Sequence, residues 1–303
     1  MKIINRTLAN ENLSGIAFML VAMLSFATMD AMAKYLVKDR YDPVQILAIR
    51  SVLILLVMLS YYLIRNQLHL IKPKNPIALA LRGCVGFIAP FCFFKSLQVL
   101  PLADATVIFF SSTLMITALS VPLLKEPVGF YRWAAVILGF VGVVIAMDIQ
   151  GSTSLISYGY CLMGSFTYSL LFLSGRFLSK TESVGALVFS FNLSLLVIAS
   201  LLTPLVWIDV PSADLAPISF FAALALVGHF CVTSAFSKAN AAVIAPLEYT
   251  ALIWAVLWGY LIWGDIPDTR VVVGGAIIIG CAIFVVLREA YTGRKNTIKD
   301  VIE

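Results

Sequence analysis

The 303-residue chain is doubled: about ten apolar stretches of membrane-spanning length fall into two halves whose landmark residues recur 139 to 140 positions apart. A repeated set of long apolar segments in one polytopic chain is the sequence pattern of a carrier. With 61% hydrophobic residues and a mean hydropathy of +0.99, the chain is far more apolar than a soluble domain. Crossing about 30 Å of hydrocarbon takes about 20 apolar residues per helix. Helices are accordingly expected at 14–36, 43–64, 76–97, 101–123, 130–147, 154–178, 183–205, 215–237, 241–263 and 268–287.

The joints carry breakers and charges, as in Lys72-Pro73-Lys74-Asn75-Pro76, and no loop is long enough for a soluble domain. The runs are about twice the 9–11 residues of a barrel strand and lack alternation, so a helical bundle is expected rather than a β-barrel. The fold class read from the chain is an all-α polytopic membrane protein of ten transmembrane helices. The first thirteen residues are polar and precede a full-length apolar run, which reads as an uncleaved first helix. Cys84, Cys92, Cys161, Cys231 and Cys281 all fall inside apolar runs and read as packing residues, not as a disulfide framework.

Numbering the loops alternately puts most Lys and Arg on one side, from Lys2 and Arg6 through Arg65, Lys72, Lys74, Lys125, Arg132, Arg176, Lys180 and Lys238 to Arg288, Arg294, Lys295 and Lys299. The other side has Lys34, Lys38, Arg40 and Arg270, with Asp148, Asp209 and Asp214 in its remaining connections. By the positive-inside rule both termini are cytoplasmic. The net charge of +5 is accounted for by this asymmetry and carries no signal for nucleic acid.

The repeat is legible residue by residue. Ser25-Phe26 recurs as Ser165-Phe166, each followed by a cation near the helix end, Lys34 or Arg176. Ala103 answers Ala242, Phe110 answers Tyr249, and the acidic end Lys125-Glu126-Pro127 answers Gly264-Asp265-Ile266-Pro267. The fifth and tenth helices are both glycine-rich, with Gly139 and Gly142 in one and Gly274, Gly275 and Gly280 in the other. Five helices per half force the second copy to enter from the opposite side, so the two five-helix repeats are inverted, the geometry that opens a central site alternately to either face.

These features resemble the EamA-type branch of the drug/metabolite transporter superfamily over about Ser14 to Ala290. The most specific stretch is the ninth helix from Ala245-Pro246-Leu247-Glu248-Tyr249-Thr250 to Trp263-Gly264-Asp265. With Asp30-Ala31-Met32-Ala33-Lys34-Tyr35-Leu36 and Leu81-Arg82-Gly83, it is similar to members assigned to riboflavin or S-adenosylmethionine uptake. Asp265 stands where the family usually has Glu. The resemblance implies repeats over residues 1–148 and 149–290, a cytoplasmic tail at 291–303, and a central cavity formed by helices one to four and six to nine.

Charges inside hydrocarbon normally face a bundle interior, which singles out Asp30, Arg50, Arg82, Lys95, Asp104, His229 and Glu248. Glu248 and Arg82 lie at similar depth, about 10 Å from the cytoplasmic boundary by helix rise; each is a substrate ligand or half of a structural pair. Arg50 reads as a cavity cation with Asp30 as counter-ion and proton-coupling candidate. His229 suits proton transfer, or else bonds a neighbouring helix. Lys95, Asp104, Lys34 and Arg176 read as anchors near helix ends. Pro90, Pro122, Pro204 and Pro246 interrupt predicted spans. Nearby aromatic residues, among them Phe91, Phe110, Tyr249 and Trp254, either stack on a planar ligand or pack.

The expected substrate site is therefore Arg50, Arg82, Phe91, Phe110, Glu248, Tyr249 and Trp254, with Asp30 and His229 for proton coupling. Zinc, nucleophile-elbow and Walker signatures are absent from the sequence, which argues against an enzyme or an ATP-driven pump. A channel and a scaffold rank lower. The expectation is a secondary carrier of a small organic metabolite in the bacterial inner membrane, without cofactor or metal. Its partners are that metabolite and the lipid bilayer, with a homodimer compatible. An amino-acid or drug exporter of the same superfamily is the alternative.

Overall fold

The computed structural model describes residues 2–124, 129–147, 152–239 and 241–302, and of these all side chains except those of 2–12, 124, 152–154, 237, 241–242 and 289–302. The expected charges at Lys2, Arg6, Lys125, Asp148, Arg294, Lys295 and Lys299, and the acidic end at Glu126-Pro127, lie outside the described residues or side chains. Everything regular is helical: α1 (Lys2–Val37), α2 (Pro43–Ile64), α3 (Pro76–Leu97), α4 (Leu102–Phe109), α5 (Ser111–Leu124), α6 (Phe130–Ala146), α7 (Ser152–Leu178), α8 (Val184–Leu202), α9 (Ser212–Lys238), α10 (Ala241–Ile244), α11 (Thr250–Trp263) and α12 (Thr269–Ile302). Among the described residues, nine spans are long and apolar enough to cross a membrane, and α6 is a shorter apolar helix.

The helix starts follow from their sequences. Asp42 and Asn75 accept backbone N–H groups of Val44 and Ala78 at 2.9 and 3.1 Å, each followed by a proline at the first helical position. Ser183 caps α8 by accepting from Ala186 N–H at 3.0 Å. At the end of α11, Gly264 takes a left-handed φ of 72°, and Asp265 N–H bonds back to Gly259 O at 3.1 Å. That turn aims Asp265 back at the bundle.

The helix pairings map onto themselves when the first five spans are exchanged for the last five. α1 packs on α9 as α7 packs on α3, α1 meets α11 as α7 meets α5, and α3 meets α8 as α9 meets α2. The pairs α2–α8 and α6–α12 are their own counterparts. In α6–α12 the contact runs glycine to glycine: a Cβ on Gly274 would lie 2.5 Å from Gly142 O. Small residues permit this approach, and dispersion between the backbones holds the pair in lipid.

Loops clasp the two halves at each end. At one end Gln45 exchanges two hydrogen bonds with the backbone of Ile208, at 2.6 and 3.1 Å, while Arg40 and Tyr41 donate to Asp214 at 2.5 and 2.7 Å. At the other, Glu182 accepts from the backbone N–H groups of Lys74 and Asn75 at 3.0 and 2.6 Å, and Ser183 donates to Leu70 O.

Two expected helices differ from their reading as continuous spans. The fourth is broken at Phe110, between α4 and α5, where Thr113 N–H turns to Phe110 O in a three-residue step. The ninth opens as α10, continues as a 3-10 turn over Ala245–Tyr249, and becomes α-helical only at Thr250. Pro246 supplies no N–H there, and Thr250 donates its hydroxyl to Leu247 O at 2.6 Å. The breaks fall at matching places in the two repeats.

Candidate functional site

Three charged side chains, Arg50, Asp30 and Glu248, meet the interior without a hydrogen bond or ion pair among the described residues. Arg50 on α2 is 5% exposed, its Nε is buried without a hydrogen bond, and its guanidinium lies 5.6 Å from the Phe221 ring. It is electrostatically coupled to Asp30 on α1 and His229 on α9. Asp30 is half-buried and forms no ion pair or hydrogen bond with Arg50, so the expected counter-ion is close but not in contact. His229 packs edge-on against Phe26 at 5.2 Å between centroids, and no side-chain bond ties it to a neighbouring helix.

Glu248 sits in the 3-10 turn of the ninth span, half-buried, within electrostatic reach of Tyr168 and Tyr249. It does not pair with Arg82. That arginine points to the other side of α3, toward α7 and α8, donating weakly to Leu187 O at 3.4 Å beside Gly175 and 6.0 Å from the Phe191 ring. Equal depth therefore did not mean a shared face, because helical azimuth separates the two.

The aromatic residues divide. Phe110 and Tyr249 meet edge to face at 5.0 Å, and Phe93, Phe109 and Tyr168 form a chain at 4.7 and 5.2 Å across α3, α4 and α7. Phe91 instead stacks on Phe87 of its own helix at 5.7 Å, and Trp254 is half-buried on α11. Phe109 belongs to the aromatic cluster already visible in the fourth span, whereas Tyr168 was not singled out, because no charge or breaker marks its place in the sequence.

Lys34 corrects the reading of a snorkelling anchor. It is 3% exposed, bonds Asp265 at 2.9 Å and lies 4.6 Å from the centre of the Trp263 ring. The pair links the end of α1 to the turn after α11, and Asp104 adds negative potential to it. Beside it a cavity of about 290 Å³ is lined by Pro101, Asp104, Tyr158, Ile266 and Asp268. Arg270 bonds the Asp268 carboxylate at 2.9 Å and holds it below the usual carboxylate range. Lys95 pairs with Asp42 at 3.3 Å, as an anchor should. Among the described residues no cluster of His, Cys, Asp or Glu could hold a metal ion.

The sequence profile of the EamA-like transporter family matches residues 13–147. An S-adenosylmethionine uptake transporter of Rickettsia bellii is 25% identical over 275 residues, covering 91% of this chain and 94% of that protein. The pseudopaline exporter CntI of Pseudomonas aeruginosa is 28% identical over 284 residues, with 89% and 95% covered. A crystal structure superposes with a TM-score of 0.59 at 18% identity over 92% of this chain and 97% of that one, a likeness of fold. Both relatives are named for the transport of a small molecule, and each aligns over almost its full length. With residues 13–147 matched by the EamA-like family profile and nearly the whole chain aligned with named transporters, this multi-pass membrane protein carries an EamA-like transporter domain and resembles transporters of the drug/metabolite transporter superfamily.

Proposed function

We propose that this transporter is a secondary carrier that moves a small zwitterionic metabolite, with S-adenosylmethionine the first compound to test, by alternating access in the bacterial inner membrane with both termini cytoplasmic. One observation carries the reading: Asp30, Arg50 and Glu248 lie inside the bundle without a hydrogen bond or ion pair among the described residues. A charged group inside the bundle without a bonded partner is costly, so a chain that keeps these three there gains from a ligand that completes them. Arg50 suits a carboxylate, and Glu248 between Tyr168 and Tyr249 suits an organic cation.

Residues 1–148 and 149–290 act as the two rocking repeats. Lys34–Asp265 closes the outer end of the cavity. Asp30 and His229, both coupled to Arg50, are the groups through which a proton would be linked to the substrate. Phe110, Tyr249 and Trp254 supply aromatic wall, while Arg82 and Phe91 lie outside this set.

The test is uptake by proteoliposomes of purified protein, with labelled S-adenosylmethionine and riboflavin, with and without a proton gradient. Saturable S-adenosylmethionine uptake that Arg50→Ala abolishes while insertion persists is the expected result; normal uptake by that variant removes Arg50 from the site. Similarity to the pseudopaline exporter favours a second reading, net export, which preloaded vesicles distinguish.

A further inference from the structure

Lys34 has two acidic companions at the outer end, one in each half of the chain. Its ammonium donates to Asp265 at 2.9 Å and lies 4.6 Å from the centre of the Trp263 ring, and both of those residues stand at the end of α11 or just after it, in the second half. Asp104 stands in the first turn of α4, in the same half as Lys34, and α4 packs on α1. Its carboxylate is half-buried and takes no hydrogen bond or ion pair from another residue among the described ones, and the charge that acts on it most strongly is Lys34. One ammonium thus faces two carboxylates and bonds only the one in the other half.

Opening the outer end parts the halves there, and Lys34 would lose the Asp265 carboxylate and the Trp263 ring in one movement. With 4% of its side chain exposed, an ammonium left without a partner at that place is costly. Asp104 belongs to the half that keeps Lys34, and it borders the cavity of about 290 Å³ beside the pair, which gives the end of the lysine room to turn. A flexible ammonium stem changes acceptors more readily than a planar guanidinium does. Asp104 and Asp265 also repel each other while the end is closed, which lowers the cost of parting them. Resting on the reading of Lys34–Asp265 as the outer closure, we propose that Asp104 is a positioning residue of the transport cycle: it takes over the Lys34 ammonium when the outer end opens, so that the ion pair is exchanged and not simply broken.

The exchange is read in the full-length protein from the rate at which a membrane-impermeant maleimide, applied to right-side-out vesicles, labels Ala31→Cys. That position is one turn from Lys34 on α1 and 2% exposed, and protein without the added cysteine gives the background. Asp104→Asn should lower the rate about tenfold, the worth of a hydrogen bond to a charged group, with thermal unfolding unchanged because the closed pair keeps Asp265. Asp104→Glu should recover most of the rate. Lys34→Ala should label faster than the chain that has Lys34, and adding Asp104→Asn to it should change nothing, because a residue that acts through Lys34 then has nothing to act on. An unchanged rate for Asp104→Asn, or an equal fall with and without Lys34, overturns the proposal. No labelling in any variant, Lys34→Ala included, overturns the outer closure itself and the exchange with it.

Discussion

Phe110 and Tyr249 stand 139 positions apart in the sequence, occupy equivalent places in the two repeats, and touch edge to face with ring centroids 5.0 Å apart. Each sits where its span is broken, Phe110 between α4 and α5 and Tyr249 just before α11. Repeat mates in contact lie at the pseudo-two-fold axis, where an inverted-repeat carrier puts its site. An edge-to-face pair contributes about 0.5–1.5 kcal/mol beyond area burial. Tyr249→Phe, which keeps the ring but loses the hydroxyl's bond with Thr113, should therefore cost only about 0.5–1.5 kcal/mol, and Tyr249→Ala about 2–4 kcal/mol with the lost ring. A double-mutant cycle with Phe110→Ala should show coupling near the pair value, read from denaturation in detergent.

The Lys34–Asp265 pair yields a sharper test because its two members are unequally exposed, Lys34 at 4% and Asp265 at 31% of the side chain. Removing Asp265 strands a buried ammonium, whereas removing Lys34 leaves a carboxylate that water reaches. Asp265→Ala should thus be the more damaging change, toward the 3–5 kcal/mol seen when one partner of a buried pair is deleted. Lys34→Ala should be milder and should raise the labelling rate of a cysteine placed at the outer cavity. The exchange Lys34→Asp with Asp265→Lys should recover part of the loss; no recovery would mean that the two residues act separately.

The fold was legible because the bilayer imposes it. Apolar runs of fixed length define spans, and Ser25-Phe26 against Ser165-Phe166 sets the repeat offset without any knowledge of packing. The breaks were less legible. Pro246 marked the ninth span, but Phe110 carries no breaker, and its interruption is visible only in the backbone bond from Thr113 N–H to Phe110 O. Depth along a helix could be counted, which put Arg50 and Asp30 within electrostatic reach of each other though not in contact. Azimuth could not, which is why Arg82 was expected beside Glu248 and turns instead to Leu187 O. Lys34 looked like an anchor because its partner Asp265 is 231 positions away and is aimed by a single left-handed glycine.

Glu248→Gln keeps shape and removes charge. If Glu248 holds the cationic group of the substrate, the loss of one charge-assisted hydrogen bond of about 1.5–3 kcal/mol should raise KM about tenfold to a hundredfold. Maximal uptake should change little, since the same contact is present throughout the cycle. An unchanged KM would leave Glu248 a structural acid.

The clasp at Tyr41 predicts a response to alkali. Burial, and then the hydrogen bond that Tyr41 donates to Asp214, push its phenol up to about 12. A folded-state value above that of the unfolded chain means that the stabilisation is complete below about pH 10 and is lost as pH rises toward 12. Wild-type protein should lose stability across that window more steeply than Tyr41→Phe, followed by thermal unfolding at each pH. Equal slopes would show that the phenol does not support the clasp.

Gly274 separates stability from transport. A Cβ there would lie 2.5 Å from Gly142 O and 2.7 Å from Ala146 Cβ, and a backbone carbonyl in a packed helix cannot yield as a side chain can. Gly274→Ala should force α6 and α12 apart and destabilise by about 1–3 kcal/mol, the usual range for overpacking. The pair lies away from Asp30, Arg50 and Glu248, so the KM of whatever protein still folds should equal that of the wild type. Gly280→Ala, one and a half turns further along α12 and facing open space, is the matched control and should leave both quantities unchanged. A change in KM for Gly274→Ala at constant stability would mean instead that the α6–α12 pair moves during the transport cycle.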